Sequence, residues 1–63
     1  MNLEHYRKKV KLTQQEVADI IGCQREVYRR YEKGVREVPI HILILLADYY
    51  HISLDELVGH QPI

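Results

Sequence analysis

Residues 13–34 read TQQEVADIIGCQREVYRRYEKG, and this stretch leaves the chain few ways to fold. Thr13 can cap a helix start, and Glu16, three residues on, can bond back to the Thr13 backbone as a capping box. Gly22 offers the left-handed residue that ends a helix. About two residues beyond it a second helical run begins, which Gly34 closes. Two short helices across so tight a turn form the pattern of a helix-turn-helix.

The remaining segments read helical as well. Helix 1 is expected over about Leu3–Val10, with Leu3, Tyr6 and Val10 on one face. Helix 2 buries Val17, Ala18 and Ile21, with Ile20 flanking, and helix 3 covers about Gln24–Lys33. After the loop VREV, Pro39 is expected at the first position of helix 4, where its missing N–H does no harm. Helix 4 runs to about Tyr50. Ser53 and Glu56 repeat the capping box and start helix 5, which ends near Gly59. The tail, residues 60–63, is expected to fray. No period-two stretch and no repeat interrupts this order. The expectation is an all-α, compact five-helix bundle, one domain over residues 1–63, with the helix-turn-helix in helices 2 and 3.

Size and composition narrow the setting. A 63-residue chain buries only about 60% of its unfolded surface, so it needs tight helix packing or a partner chain. A disulfide cannot help, because Cys23 is the single cysteine. That usage fits a reducing compartment. The start, MNLEHYRKKV, lacks an apolar h-region, so no signal peptide is expected. The longest apolar run, Ile42 to Ala47, is far below the roughly 18 residues a bilayer needs. A cytoplasmic protein without a membrane partner is expected.

The net charge is zero, but the charges are segregated. Residues 1–36 hold all nine Lys and Arg against five acids, a net +4. Residues 37–63 hold four acids and neither Lys nor Arg. A dipolar chain of this kind can turn a basic face to a polyanion.

Helix 3 carries most of that basic face. On a wheel at 100° per residue, Tyr28 and Tyr31 point one way, with Val27 beside them. Glu26, Arg29, Arg30 and Lys33 lie opposite, and Gln24 and Arg25 sit at the N-terminal end. Arg25, Arg29 and Lys33 are four apart with no acid on their row, an arrangement that costs a few tenths of a kcal/mol per pair. A nearby polyanion removes that cost. Free backbone N–H groups at the helix start also attract phosphate. Arginine can bond guanine O6 and N7 together, and glutamine can pair with adenine. The helix therefore suits a DNA major groove. Glu26 does not fit so simply: it can pair with Arg30 four residues on, or accept a bond from a cytosine amino group.

The order LTQQEVADIIG, REVYRRYEKG, then LLADYYHISLDELVG resembles the Cro/C1-type (XRE-like) helix-turn-helix regulators over about Leu3–Gly59. The resemblance implies a lambda-repressor-like five-helix fold that binds operator DNA, usually as a homodimer. By position it implies that Gln24, Arg25, Glu26 and Arg30 read bases or meet phosphates. Gln14 would bond a phosphate and could also brace helix 3. Arg29, Lys33 and Arg36 would reach the phosphate backbone, aided by N–H groups of the loop after Gly34. Arg7 and Glu32 match a buried structural salt bridge. This sequence departs from the family at Lys11 and His51, where glycine is frequent, and at Tyr28, where a smaller aliphatic residue is usual. Gln24 also replaces a common Ser or Thr cap.

Helix 4, PIHILILLADYYH, is apolar nearly all round, which is a mark of a buried helix. Leu43, Leu46, Ala47 and Tyr50 make its core stripe. Ile42, Ile44, Leu45 and Tyr49 are left outside or on the flanks, and Ile44, Leu45 and Tyr49 are expected to meet a second copy. The four histidines and Cys23 lack zinc-ligand spacing, and no phosphate loop or nucleophile–base set stands out. Neither an enzyme nor a cofactor or metal site is expected. Cys23 reads as a small turn residue or as a thiol whose oxidation would disturb helix 3. Two functional classes stay open: a homodimeric DNA-binding regulator, acting on double-stranded DNA, and an interaction module or antitoxin that covers a partner protein with helix 4.

Overall fold

A computed structural model describes residues 1–59; the expected fraying of residues 60–63 lies outside them. Five helices follow in order: α1 (Leu3–Lys9), α2 (Gln14–Ile21), α3 (Arg25–Lys33), α4 (Ile40–Tyr50) and α5 (Leu54–Val58). No strand occurs among the described residues.

The helix boundaries follow local chemistry. The Glu16 N–H donates to Thr13 Oγ1 at 3.1 Å, and the Thr13 N–H donates to Glu16 Oε1 at 2.8 Å. Ser53 and Glu56 make the same reciprocal pair, both bonds at 3.1 Å. Gly22 takes φ +78° at the end of α2, a conformation that costs other L-residues energy. Pro39 sits one position earlier than expected. Its ψ of 146° is extended, so it flanks α4 as the N-cap, and its carbonyl accepts from the Ile42 and Leu43 N–H groups.

The core joins Leu3 and Tyr6 of α1, Val17 and Ala18 of α2, Tyr28 and Tyr31 of α3, and Leu43, Leu46 and Ala47 of α4, with Leu57 of α5 beneath. α2 packs along α3, α4 along α5, and α1 rests on α3 and α5. The chain start is tied to α5: the Asn2 N–H donates to the Leu57 carbonyl and Asn2 Nδ2 to the Glu56 carbonyl, each at 2.8 Å.

Two core expectations need correction. Val10 is 48% exposed, because α1 ends at Lys9 and Lys11 turns the chain with φ +62°. Leu12 takes the inward place instead, half-buried against the core, its N–H bonded to the Arg7 carbonyl at 3.1 Å. Ile42, expected outside or on a flank, is buried. α4 is covered from both the α2 and the α5 side, so its buried stripe is wide enough to include Ile42, Leu43, Leu46 and Ala47. Ile44, Leu45 and Tyr49 are exposed, together with Ile40.

Candidate nucleic-acid interface

α3 separates its two faces sharply. Tyr28 is fully buried and Tyr31 nearly so. Gln24, Arg25, Glu26, Arg30 and Lys33 are exposed, and Arg29 is half-buried. Gln24 occupies the N-cap with extended backbone but makes no side-chain cap bond. Its amide is therefore not used up by the helix start. Arg25 and Lys33 form no ion pair within the described residues. The loop after Gly34 carries Arg36, which is also exposed and unpaired among the described residues.

Glu26 is bonded more fully than the spacing suggested. Arg29 donates through Nε to Oε1 at 2.7 Å and through Nη2 to Oε2 at 2.8 Å. Arg30 donates through Nε to the same Oε2 at 3.1 Å. The expected pairing with Arg30 is present, and the bidentate pairing with Arg29 exceeds it. The arginine row is thus not left uncompensated, since Glu26 reaches across from the adjacent row. The Arg29 bonds, with the Arg30 bond, hold the Glu26 carboxyl down to about 2. It is charged at any ordinary pH.

Behind this face lies the Arg7–Glu32 pair. Arg7 Nε donates to Glu32 Oε2 at 2.6 Å and Nη2 to Oε1 at 3.3 Å. Arg7 Nη1 also donates to the Leu12 carbonyl at 2.9 Å, so α1, the following turn and α3 are fastened at one point. Gln14 Nε2 donates to Glu32 Oε1 at 3.0 Å. Gln14 therefore braces α3, as one of its two expected roles required, and stands at the start of α2 facing outward in part. Burial opposes ionisation of the Glu32 carboxyl, but the surrounding donors, Arg7 foremost, outweigh it and lower its pKa. The hydrogen bond to Glu32 raises that of Arg7. The Tyr28 and Tyr50 hydroxyls are buried, Tyr28 within reach of Glu32 and Tyr50 without a hydrogen-bond partner among the described residues. Burial raises the pKa of both, that of Tyr50 to about 12.

The sequence pattern does not mark Lys8 or Lys11 as a DNA contact. A groove of about 520 Å³ runs along the start of α2, lined by Lys8, Lys11, Thr13, Gln14, Gln15 and Arg25. Lys8 pairs with Glu4 at 3.6 Å, whereas Lys11 has no carboxylate partner among the described residues. The run RKKVK was the available signal, but only the turn at Lys11 brings those ammonium groups beside Gln14 and Arg25.

Cys23 is half-buried and packs on the core between α2 and α3. Burial raises its thiol pKa, which disfavours the reactive thiolate; the turn-residue reading fits this environment. No group of three or more metal-ligating side chains occurs among the described residues. No described helix is long and apolar enough to cross a membrane.

A capped scaffold helix, a three-residue turn through Gly22, and an exposed basic helix define the helix-turn-helix class. A helix-turn-helix family model matches residues 3–57, and the chain belongs to that family, in its Cro/C1-type branch. It is 45% identical over 56 residues to the uncharacterized HTH-type transcriptional regulator YqaE of Bacillus subtilis (strain 168), covering 89% of this chain and 48% of that protein. It is 39% identical over 57 residues to the cryptic phage CTXphi transcriptional repressor RstR of Vibrio cholerae serotype O1, covering 90% and 51%. It is 33% identical over 60 residues to the antitoxin PezA of Streptococcus pneumoniae serotype 4, covering 95% and 38%. The chain thus spans about half the length, or less, of these relatives. No solved structure matches it significantly. The family is one of DNA-binding transcriptional regulators rather than enzymes, and YqaE and RstR are named as a transcriptional regulator and a transcriptional repressor.

Proposed function

We propose that residues 1–63 act as one sequence-specific DNA-binding domain of a transcriptional regulator, acting most simply as a repressor. The observation that carries this reading is the division of α3. Its tyrosines anchor it in the core, while Gln24 and Arg25 at its N-terminal end and Arg30 beyond its middle stand clear. A helix held in this way enters a major groove with its first turns against the base edges. Gln24, Arg25 and Arg30 meet bases, with Glu26 among them as the partner of Arg30. Arg29, Lys33 and Arg36 meet phosphates on one side. Gln14 meets phosphate on the other, and Lys11 extends that side along the groove at the α2 start. Two relatives named as a transcriptional regulator and a transcriptional repressor support this reading.

The exposed Ile44, Leu45 and Tyr49 support association of two copies through α4. Large apolar side chains gathered on one face mark such surfaces. A two-fold pair would set its α3 helices about 34 Å apart, one turn of DNA. A second reading keeps the α4 face for a partner protein; the antitoxin relative favours it.

Selection from a random-sequence duplex pool tests the proposal. Enrichment of a two-fold symmetric site is expected, with log K falling steeply against log salt as several phosphates are neutralised. Absence of any enriched sequence would leave the partner-protein reading in its place.

A further inference from the structure

We infer that Glu26 is a positioning residue that sets DNA discrimination by holding Arg29 and Arg30, not by touching a base. This inference rests on the DNA-binding reading above. One carboxylate accepts three hydrogen bonds from two arginines on the exposed face of α3. The two arginines give it different atoms. Arg29 commits both Nε and Nη2. Arg30 commits only Nε and keeps both terminal nitrogens free of bonds within the described residues. Those terminal nitrogens are the ones a guanine edge can take in a bidentate contact. Arg30 can therefore be held by Glu26 and read a base at the same time.

Binding to arbitrary sequence makes a different demand. It depends on cations that swing to whichever phosphate is near, and its strength follows the number of phosphates neutralised. Glu26 opposes it twice. It takes one negative charge onto the contact face, so the three side chains together carry +1 instead of +2. It also pins Arg29, so that reaching a phosphate requires breaking two charge-assisted bonds, which are the stronger kind. The non-specific complex bears that cost unaided, whereas in the specific complex the base contact of Arg30 offsets the release of Arg29 to its phosphate. Suppression of wrong partners by a repulsive element is a general route to specificity.

The test uses the 63-residue chain, a site selected from a random duplex pool, and random duplex of the same length. Glu26→Gln removes the charge, and Glu26→Asp keeps the charge but shortens the reach to two arginines. For Glu26→Gln, affinity for random duplex is expected to rise several-fold. Its salt slope should steepen by about 0.9, the contribution of one further phosphate. The ratio of site to random affinity should fall about tenfold, as loss of a repulsive element predicts. Glu26→Asp should leave the random-duplex slope near wild type while loosening base preference. Arginine Nε–H resonances of the free protein give an independent reading: slow exchange at Arg29 is expected in wild type and its loss in Glu26→Gln. Unchanged random-duplex affinity and slope in Glu26→Gln overturn the inference, as does a clean switch of one preferred base with discrimination intact. Wild-type protein that binds no duplex removes the DNA reading and this inference together. Wild-type binding beside an unaffected variant removes only the inference.

Discussion

α3 takes part in two arginine–glutamate clusters built from the same groups. In the first, Arg7 and Glu32 meet with side chains 10% and 2% exposed. In the second, Glu26 meets Arg29 and Arg30 with all three side chains 39–50% exposed. The contact lengths are nearly equal, 2.6 Å and 2.7 Å. What differs is the solvent. A buried pair has lost its water, so removing either partner strands the other charge. An exposed pair is screened, gains little for the fold, and keeps its donors within reach of something outside. The same chemistry fixes the helix on its inner side and equips it on its outer side.

The largest expected effect breaks the inner cluster. Glu32→Ala leaves Arg7 charged and buried against Leu12 and Tyr28, and should cost about 3 kcal/mol by urea unfolding. In a chain this small that is a large share of the total. Glu26→Ala should barely move the same midpoint. Equal shifts in the two variants would mean that burial does not distinguish the clusters.

A second substitution sharpens the contrast from the outer side. Arg30→Ala should leave the unfolding midpoint in place and relax base preference by ~1–3 kcal/mol at one position of the selected site. A uniform loss across all sequences would instead make Arg30 a phosphate contact.

Acid should weaken the inner cluster. The folded-state pKa of Glu32 lies below its ordinary value of 4.5. Its stabilisation is therefore present in full above the unfolded value and is lost as pH falls through the folded value. The urea midpoint should hold steady from neutral pH and fall progressively below about pH 4. Glu32→Gln should flatten that decline. Tyr28 and Tyr50, both raised above 10.0, act in the other direction. The unfolded chain ionises first, so stability should drop again as pH climbs past their ordinary value. A midpoint indifferent to acid would put solvent around Glu32.

The helices and the outer face were legible in the sequence because both follow from local rules. Capping boxes at Thr13 and Ser53, the glycine stops, and the Tyr28–Tyr31 spacing each act within a few residues. The inner cluster was legible only through family resemblance, since Arg7 and Glu32 lie 25 residues apart and no local pattern links them. The misreadings share that cause. Val10 and Ile42 were placed by helical period alone, but the depth of each depends on the turn at Lys11 and on how α2 and α5 flank α4. Tyr28 gave no sequence signal that its hydroxyl would be buried; that depends on how the other helices close over α3. Glu26 bonds to Arg29 as well as Arg30 because both the i,i+3 and the i,i+4 spacing face each other on a helix, and spacing alone does not say how one carboxylate divides itself between them.

Lys11 offers the smallest effect and the finest test, because it belongs to both sides at once. Its backbone closes the turn that brings Leu12 under Arg7, at φ +62°. A non-glycine residue pays about 1–2 kcal/mol there. Its ammonium lines the groove beside Gln14 and Arg25. Lys11→Gly relieves the backbone strain but gives the unfolded chain more freedom, a penalty of roughly 0.5–1 kcal/mol. Stability should therefore rise, by up to about 1.5 kcal/mol. DNA affinity should fall for every sequence, and the salt slope should flatten by about one. Lys11→Ala removes the ammonium and keeps the strain, so it should match the glycine variant on DNA and not in urea. If the two variants agree in both assays, the strained turn and the phosphate contact are not separable, and the division between inner and outer chemistry fails at this residue.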